Sequence, residues 1–199
     1  MVGGAHGPPT ILSFAARQAP VSGNYPRRKT LCMKVERHVV LFTPEVHWNT
    51  GNIGRTCLGV GATLHLIKPL GFSLASKAVK RAGLDYWQRV DLRVWENWED
   101  LSASQKPLPA EMALLSKNGS RPFWEIAPGR RQFLVFGSET AGLPAFIRSR
   151  YPQSTYHIPI SCQIRCLNLS TAVGIVLYES LRASGLEHAW RPTDDGAGG

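Results

Sequence analysis

Short apolar runs alternate with helix-sized stretches along the middle of this chain. That alternation restricts it to an α/β architecture, a mainly parallel sheet with helices on both faces, because a parallel crossover needs a helix-sized connection. His38 to Thr43 and Thr63 to Ile67 are β-branched and aliphatic runs of strand length. Ile53 to Gly61 between them fits a short helix, so the three segments read as a βαβ unit. Val90 to Trp95, Met112 to Leu115, Gln132 to Phe136 and Tyr156 to Ile160 predict further strands. Helices are expected over Leu74 to Ala82, ended by Gly83, over Asn97 to Ser102, and over Pro144 to Arg150, which opens on proline. Leu169, Val173, Val176, Leu177 and Leu181 recur at helical spacing and predict a closing helix over Leu169 to Ala183.

A chain of 199 residues with 43% hydrophobic residues supports one core. Residues 38–186 therefore read as one domain, between an extension, 1–37, and a polar, Gly-rich tail, 187–199. The extension is rich in Gly, Pro, Ser and Arg and holds the apolar stretch Ile11 to Ala16. It fits an organellar transit peptide, a disordered tail, or sequence upstream of a start at Met33. Its charges, six basic against Glu36, account for +5 of the net +9, so the remainder is only mildly basic. Charge permits an RNA partner without demanding one. No apolar run approaches the roughly 20 residues that span a bilayer, so no membrane partner is expected. Cys32, Cys57, Cys162 and Cys166 form no Cys-x-x-Cys pair and suit reduced thiols.

Chemistry concentrates in three loops, each following an apolar strand and preceding a helix-like segment. They are Asn49-Thr50-Gly51-Asn52-Ile53-Gly54-Arg55, Phe136-Gly137-Ser138-Glu139-Thr140-Ala141-Gly142-Leu143-Pro144, and the stretch from Ile158-Pro159-Ile160 to Arg165-Cys166-Leu167-Asn168-Leu169-Ser170. In an α/β protein, backbone groups at strand ends and helix N-termini converge on a ligand, so three such loops suggest one site. Gly51-Asn52-Ile53-Gly54 lacks the dinucleotide glycine spacing, and no Lys-Ser or Lys-Thr follows a phosphate loop. The histidines show no ligand spacing and Cys162-x-x-x-Cys166 lacks a second pair, so no metal is expected.

Taken in order, the three loops resemble the motifs of the SpoU branch of the SPOUT methyltransferases. Pro44-Glu45, Leu64 to Phe72 and Lys80-Arg81-Ala82-Gly83-Leu84-Asp85-Tyr86 are similar to one family within it, the minimal tRNA wobble-nucleotide 2'-O-methyltransferases, over residues 38 to about 186. The resemblance implies a deep trefoil knot near the C-terminus, bent S-adenosylmethionine held within it, a cytoplasmic homodimer joined through its terminal helices, and tRNA as substrate. A mitochondrial or plastid location is the alternative if residues 1–37 are a transit peptide. The implied reaction is methylation of the ribose 2'-hydroxyl at position 34, a cytidine or modified uridine in leucine tRNAs. Methylation at another tRNA or rRNA position, or a non-catalytic RNA-binding module, are the competing readings.

Carried over residue by residue, the resemblance makes Arg55, Asn49 and Asn168 catalytic. Leu114, Gly137, Glu139, Ile158, Cys166 and Leu167 become the cofactor pocket, largely through backbone groups, and Arg165, Lys77, Lys80 and Arg81 become RNA contacts. A guanidinium is hard to deprotonate, so orienting a ribose or phosphate is easier for Arg55 than acting as base. Cys166 stands where many relatives have serine. Each assignment has a structural rival: Asn49 and Asn52 as turn stabilisers, Glu139 and Asn168 as helix caps, Lys77, Lys80 and Arg81 as a solvated face. Trp87, Trp95 and Tyr178 read as core or dimer packing.

Overall fold

Alternate residues of the central strands point to opposite faces and both sets are apolar, which is what a sheet covered on both sides requires. The computed structural model describes residues 35–74 and 86–185. Its strands are β1 (Glu36–Phe42), β2 (Thr63–Ile67), β3 (Leu92–Trp95), β4 (Met112–Leu115), β5 (Arg121–Pro122), β6 (Arg131–Phe136) and β7 (Thr155–His157). They form one seven-stranded sheet in the order β3-β2-β1-β6-β4-β7-β5. Every pairing is parallel. On one face Val39, Leu41, Leu66 and Leu134 pack against Ile53 and Cys57 of α1 (His47–Val60) and Val173 and Leu177 of α4 (Leu169–Ala183). On the other, Val40, Ile67, Leu114 and Phe133 meet Trp98 and Leu101 of α2 (Trp98–Gln105) and Ile147 of α3 (Ala145–Arg150).

The closing helix spans the expected residues, because Asn168 caps it by accepting from the N–H groups of Ser170 and Thr171. Asn97 caps α2 in the same way, accepting from Asp100 N–H at 2.8 Å, so that helix begins one residue after the expected start. Three expectations need correction. The helix expected from Ile53 begins at His47, so Asn49 and Asn52 are helical rather than loop residues and share the helix with Arg55. The last strand ends at His157, and Ile158-Pro159-Ile160 continue as irregular backbone. β5 was not foreseen, since two residues including a proline carry no strand signal. The expected helix over Leu74 to Ala82 lies outside the described residues, apart from Leu74.

β1 also starts two residues early, at Glu36, and the second of these, Arg37, is only 2% exposed. Its Nε donates to Ser180 Oγ at 3.0 Å, Nη1 to Gly129 O at 3.1 Å, and Nη2 to Ser180 O at 3.0 Å and to Ser184 Oγ. No carboxylate is among these partners. The guanidinium is instead held by the last turn of α4, where unpaired carbonyls carry the negative end of the helix dipole. Burial pushes its pKa down to about 10, so it remains charged at neutral pH. Replacing Arg37 with Met keeps bulk but removes these buried charge-assisted hydrogen bonds. We expect a loss of about 3 kcal/mol in urea unfolding at pH 7.5, with an unchanged denaturant slope.

Candidate active site

The carboxyl ends of β6, β4 and β7 are neighbours, with Leu115 paired to Phe136 on one side and Tyr156 on the other. The chain therefore leaves the sheet at Gly137, Ser116 and Ile158 along one edge. Glu139 is brought from the loop after β6 to the start of α1. Its Oε2 accepts from Glu45 N–H at 2.9 Å and its Oε1 from Asn49 Nδ2 at 2.9 Å. Asn49 Oδ1 in turn accepts from Asn168 Nδ2 at 3.0 Å. Asn168 Oδ1 then accepts from Ser170 N–H at 2.9 Å, Ser170 Oγ at 2.6 Å and Thr171 N–H at 3.4 Å.

The chemistry at the two ends fixes the direction of this chain. An ionised carboxylate only accepts and backbone N–H groups only donate, so each Asn amide has one allowed orientation between them. Asn49 is thus neither a turn stabiliser nor a cap. Asn168 is a cap and a contact of the site at once, and Glu139 caps no helix. One feature makes the loop after β6 possible: a Cβ on Gly137 would lie 1.9 Å from the carbonyl carbon of Gly142. The loop folds back through Gly142 N–H to Ser138 O at 3.0 Å, with Gly142 at φ 68°. Thr140 Oγ1 donates to Glu45 Oε1 at 2.6 Å and ties it down again.

Arg55 sits further along α1. Trp48, Asn52 and Arg55 are exposed and follow one another at helical spacing, while Asn49, Ile53 and Gly54 between them are buried. The Arg55 guanidinium carbon lies 4.6 Å from the centre of the Tyr86 ring. Arg165 and Cys166 are exposed and Leu167 and Ile158 half-buried, in the loop leading into Asn168. Leu114 is fully buried in the second core, so only its backbone faces the strand end. Lys77, Lys80 and Arg81 lie outside the described residues. Among the described residues no group of three His, Cys, Asp or Glu side chains is placed to hold a metal, and no helix is long and apolar enough to cross a membrane. Sequence reasoning missed Thr140, an unspecified position within its motif loop, whose hydroxyl ties that loop to Glu45.

A parallel α/β sheet with a carboxylate–amide–amide chain gathered at its carboxyl edge, beside a capped helix N-terminus, defines a ligand-binding α/β domain. More narrowly, the chain belongs to the SpoU rRNA Methylase family, which matches residues 36–178. It is 42% identical over 151 residues to a tRNA (cytidine(34)-2'-O)-methyltransferase of Burkholderia ambifaria, covering 75% of this chain and 97% of that one. A solved structure described as concerning the 2-OH methylation of C/U34 on tRNA superposes with a TM-score of 0.69 at 39% identity, over 75% of this chain and 97% of the other. An rRNA methyltransferase of Sinorhizobium meliloti, solved with AdoMet bound, superposes with a TM-score of 0.66 at 27% identity, over 74% of this chain and 56% of that one.

Proposed function

We infer that this protein transfers the methyl group of S-adenosylmethionine to the ribose 2'-hydroxyl of the wobble nucleotide, position 34, of tRNA. The observation that carries the reading is the hydrogen-bonded chain from Glu139 through Asn49 to Asn168, which joins residues from all three motif loops at one place. Similarity to relatives named for that reaction supports the substrate.

The residues fit the cofactor. Gly137, Ile158, Cys166 and Leu167 bring no charged side chain to the strand ends, and Ile160 and Ile164 are apolar yet exposed in the same loop. Backbone groups beside apolar side chains suit a flat purine, whose edge needs donors and acceptors while its faces need apolar contact. Bound there, the sulfonium supplies a methyl group that is already electrophilic. The chain's own task is positioning: Asn49 and Glu139 fix the start of α1, and Arg55 on its exposed face orients the ribose or an adjoining phosphate oxygen. Arg165, exposed in the cofactor loop, adds an RNA contact.

The C-terminal trefoil knot belongs to this reading. A close crossing supports it: a Cβ on Gly119 would lie 2.1 Å from the Tyr156 carbonyl carbon, and His157 Nδ1 meets Gly119 O at 2.9 Å. The homodimer is supported by Ile175 and Tyr178, 37% and 59% exposed on the outer face of α4. Location follows the substrate: cytoplasmic, or organellar if residues 1–37 act as a transit peptide.

The test is transfer of labelled methyl from S-adenosylmethionine to total tRNA, followed by mapping of the labelled nucleoside. A 2'-O-methyl at position 34 is the expected result. Label at another position or in rRNA would move the target, and absence of transfer despite cofactor binding would sink the reading.

A further inference from the structure

We propose that Tyr86 is the positioning residue for Arg55, a ring that holds the guanidinium at a fixed place on α1 as a cation; the inference rests on the methyl-transfer reading above. Three contacts dock the short segment Tyr86–Trp87 onto the helix that carries the site. The Tyr86 hydroxyl donates to Gly51 O at 3.1 Å. The Trp87 ring lies so close to α1 that a Cβ on Gly54 would be 2.6 Å from its Cζ3. The Tyr86 ring itself faces the Arg55 guanidinium, with 4.6 Å from its centre to Cζ. Tyr86 is 5% exposed, so its ring has one place to be, whereas Arg55 on the exposed face has none fixed by burial. The buried partner sets the position of the exposed one.

The chemistry of the contact decides what Arg55 does. A ring face attracts the positive charge and uses none of the N–H donors, so the fork stays available for a ribose or phosphate oxygen. A guanidinium has no lone pair with which to take a proton. Arg55 is therefore an oriented donor rather than a base. Gly54 acquires a purpose: the absence of a side chain there makes room for Trp87.

The experiment is a double-mutant cycle on the full chain with tRNA and S-adenosylmethionine. Tyr86→Leu is expected to lower kcat about 5- to 30-fold with KM for both substrates held within about twofold. Tyr86→Phe, which keeps the ring, is expected to stay within about threefold of wild type. In an Arg55→Ala background, Tyr86→Leu should cause no further loss, because the ring acts through the arginine. Losses that multiply, or a folded Tyr86→Leu chain with unchanged kcat, would overturn the proposal. Placement has a readout that needs no activity and no variant at Tyr86: the Arg55 side-chain protons, assigned by comparison with Arg55→Lys, should be shifted upfield by the ring in the NMR spectrum. Unshifted protons would overturn the placement. No transfer by the wild-type chain would overturn the methyl-transfer reading and the catalytic meaning of the contact with it, leaving the NMR result to judge the placement alone.

Discussion

Replacing Arg55 with Ala is expected to lower kcat for methyl transfer about 10²- to 10³-fold while S-adenosylmethionine binds as before. The size follows from removing one preorganised charged donor from a site whose work is positioning. Cofactor binding should survive, because the residues assigned to it lie on the strand-end loops at Gly137, Ile158 and Cys166, while Arg55 projects from the exposed face of α1. Arg55→Lys restores the charge without the planar fork, and its ammonium is a weaker match for both the Tyr86 ring and a paired oxygen contact. It should therefore recover only a small part of the rate. Single-turnover rates at saturating tRNA, with cofactor affinity measured by calorimetry, separate the two effects. A full rate in Arg55→Ala would remove the residue from the mechanism, and a lost cofactor affinity would show that the variant damaged the fold.

The outline of the sheet could be read from apolar runs because β1, β2, β4 and β6 each have their own hydrophobic signature. The closing helix was legible to the residue, since its apolar spacing and its Asn cap agree. The start of α1 was not. Asn49-Thr50-Gly51-Asn52 is poor helix-forming sequence, and what makes it helical is tertiary: the docking of Tyr86 and Trp87 and the bonds of Asn49 to Glu139 and Asn168. Those contacts join residues 90 and 119 positions apart, a separation no local pattern encodes. The motif resemblance placed Asn49, Glu139 and Asn168 near one another without saying that they touch. The same limit explains Arg37. Its charge and its neighbours suggested a basic tail, whereas its partners, Ser180 and Ser184, belong to the far end of the chain.

A second large effect resides far from the site, in two buried histidines. His38 and His65 sit on adjacent strands, and their environment fixes both as neutral. Trp95 Nε1 donates to His65 Nδ1 at 3.0 Å, so His65 carries its proton on Nε2 and gives it to His38 Nδ1, also at 3.0 Å. His38 must then hold its own proton on Nε2, which has no partner among the described residues. Its ring stacks on Phe133 with 4.4 Å between centres. Burial is the main cause that lowers both pKa values from 6.5, to about 4 for His38, helped by Arg131, and to about 3 for His65, helped by His38. Between pH 6.5 and these values the unfolded chain binds protons that the folded chain refuses. Stability is thus fully present above pH 6.5 and is lost as pH falls toward 4 and 3. At pH 5 each histidine accounts for about 2 kcal/mol, so the pair removes about 4 kcal/mol from a total that for a domain of this size is on the order of 5–15 kcal/mol. Urea unfolding at pH 8 and pH 5, for the wild type and for His65→Gln, checks this. The variant titrates at one site fewer and should lose about 2 kcal/mol less between the two pH values than the wild type does. Equal losses in the two proteins would mean that the histidines are already protonated, or are not buried, in the folded chain.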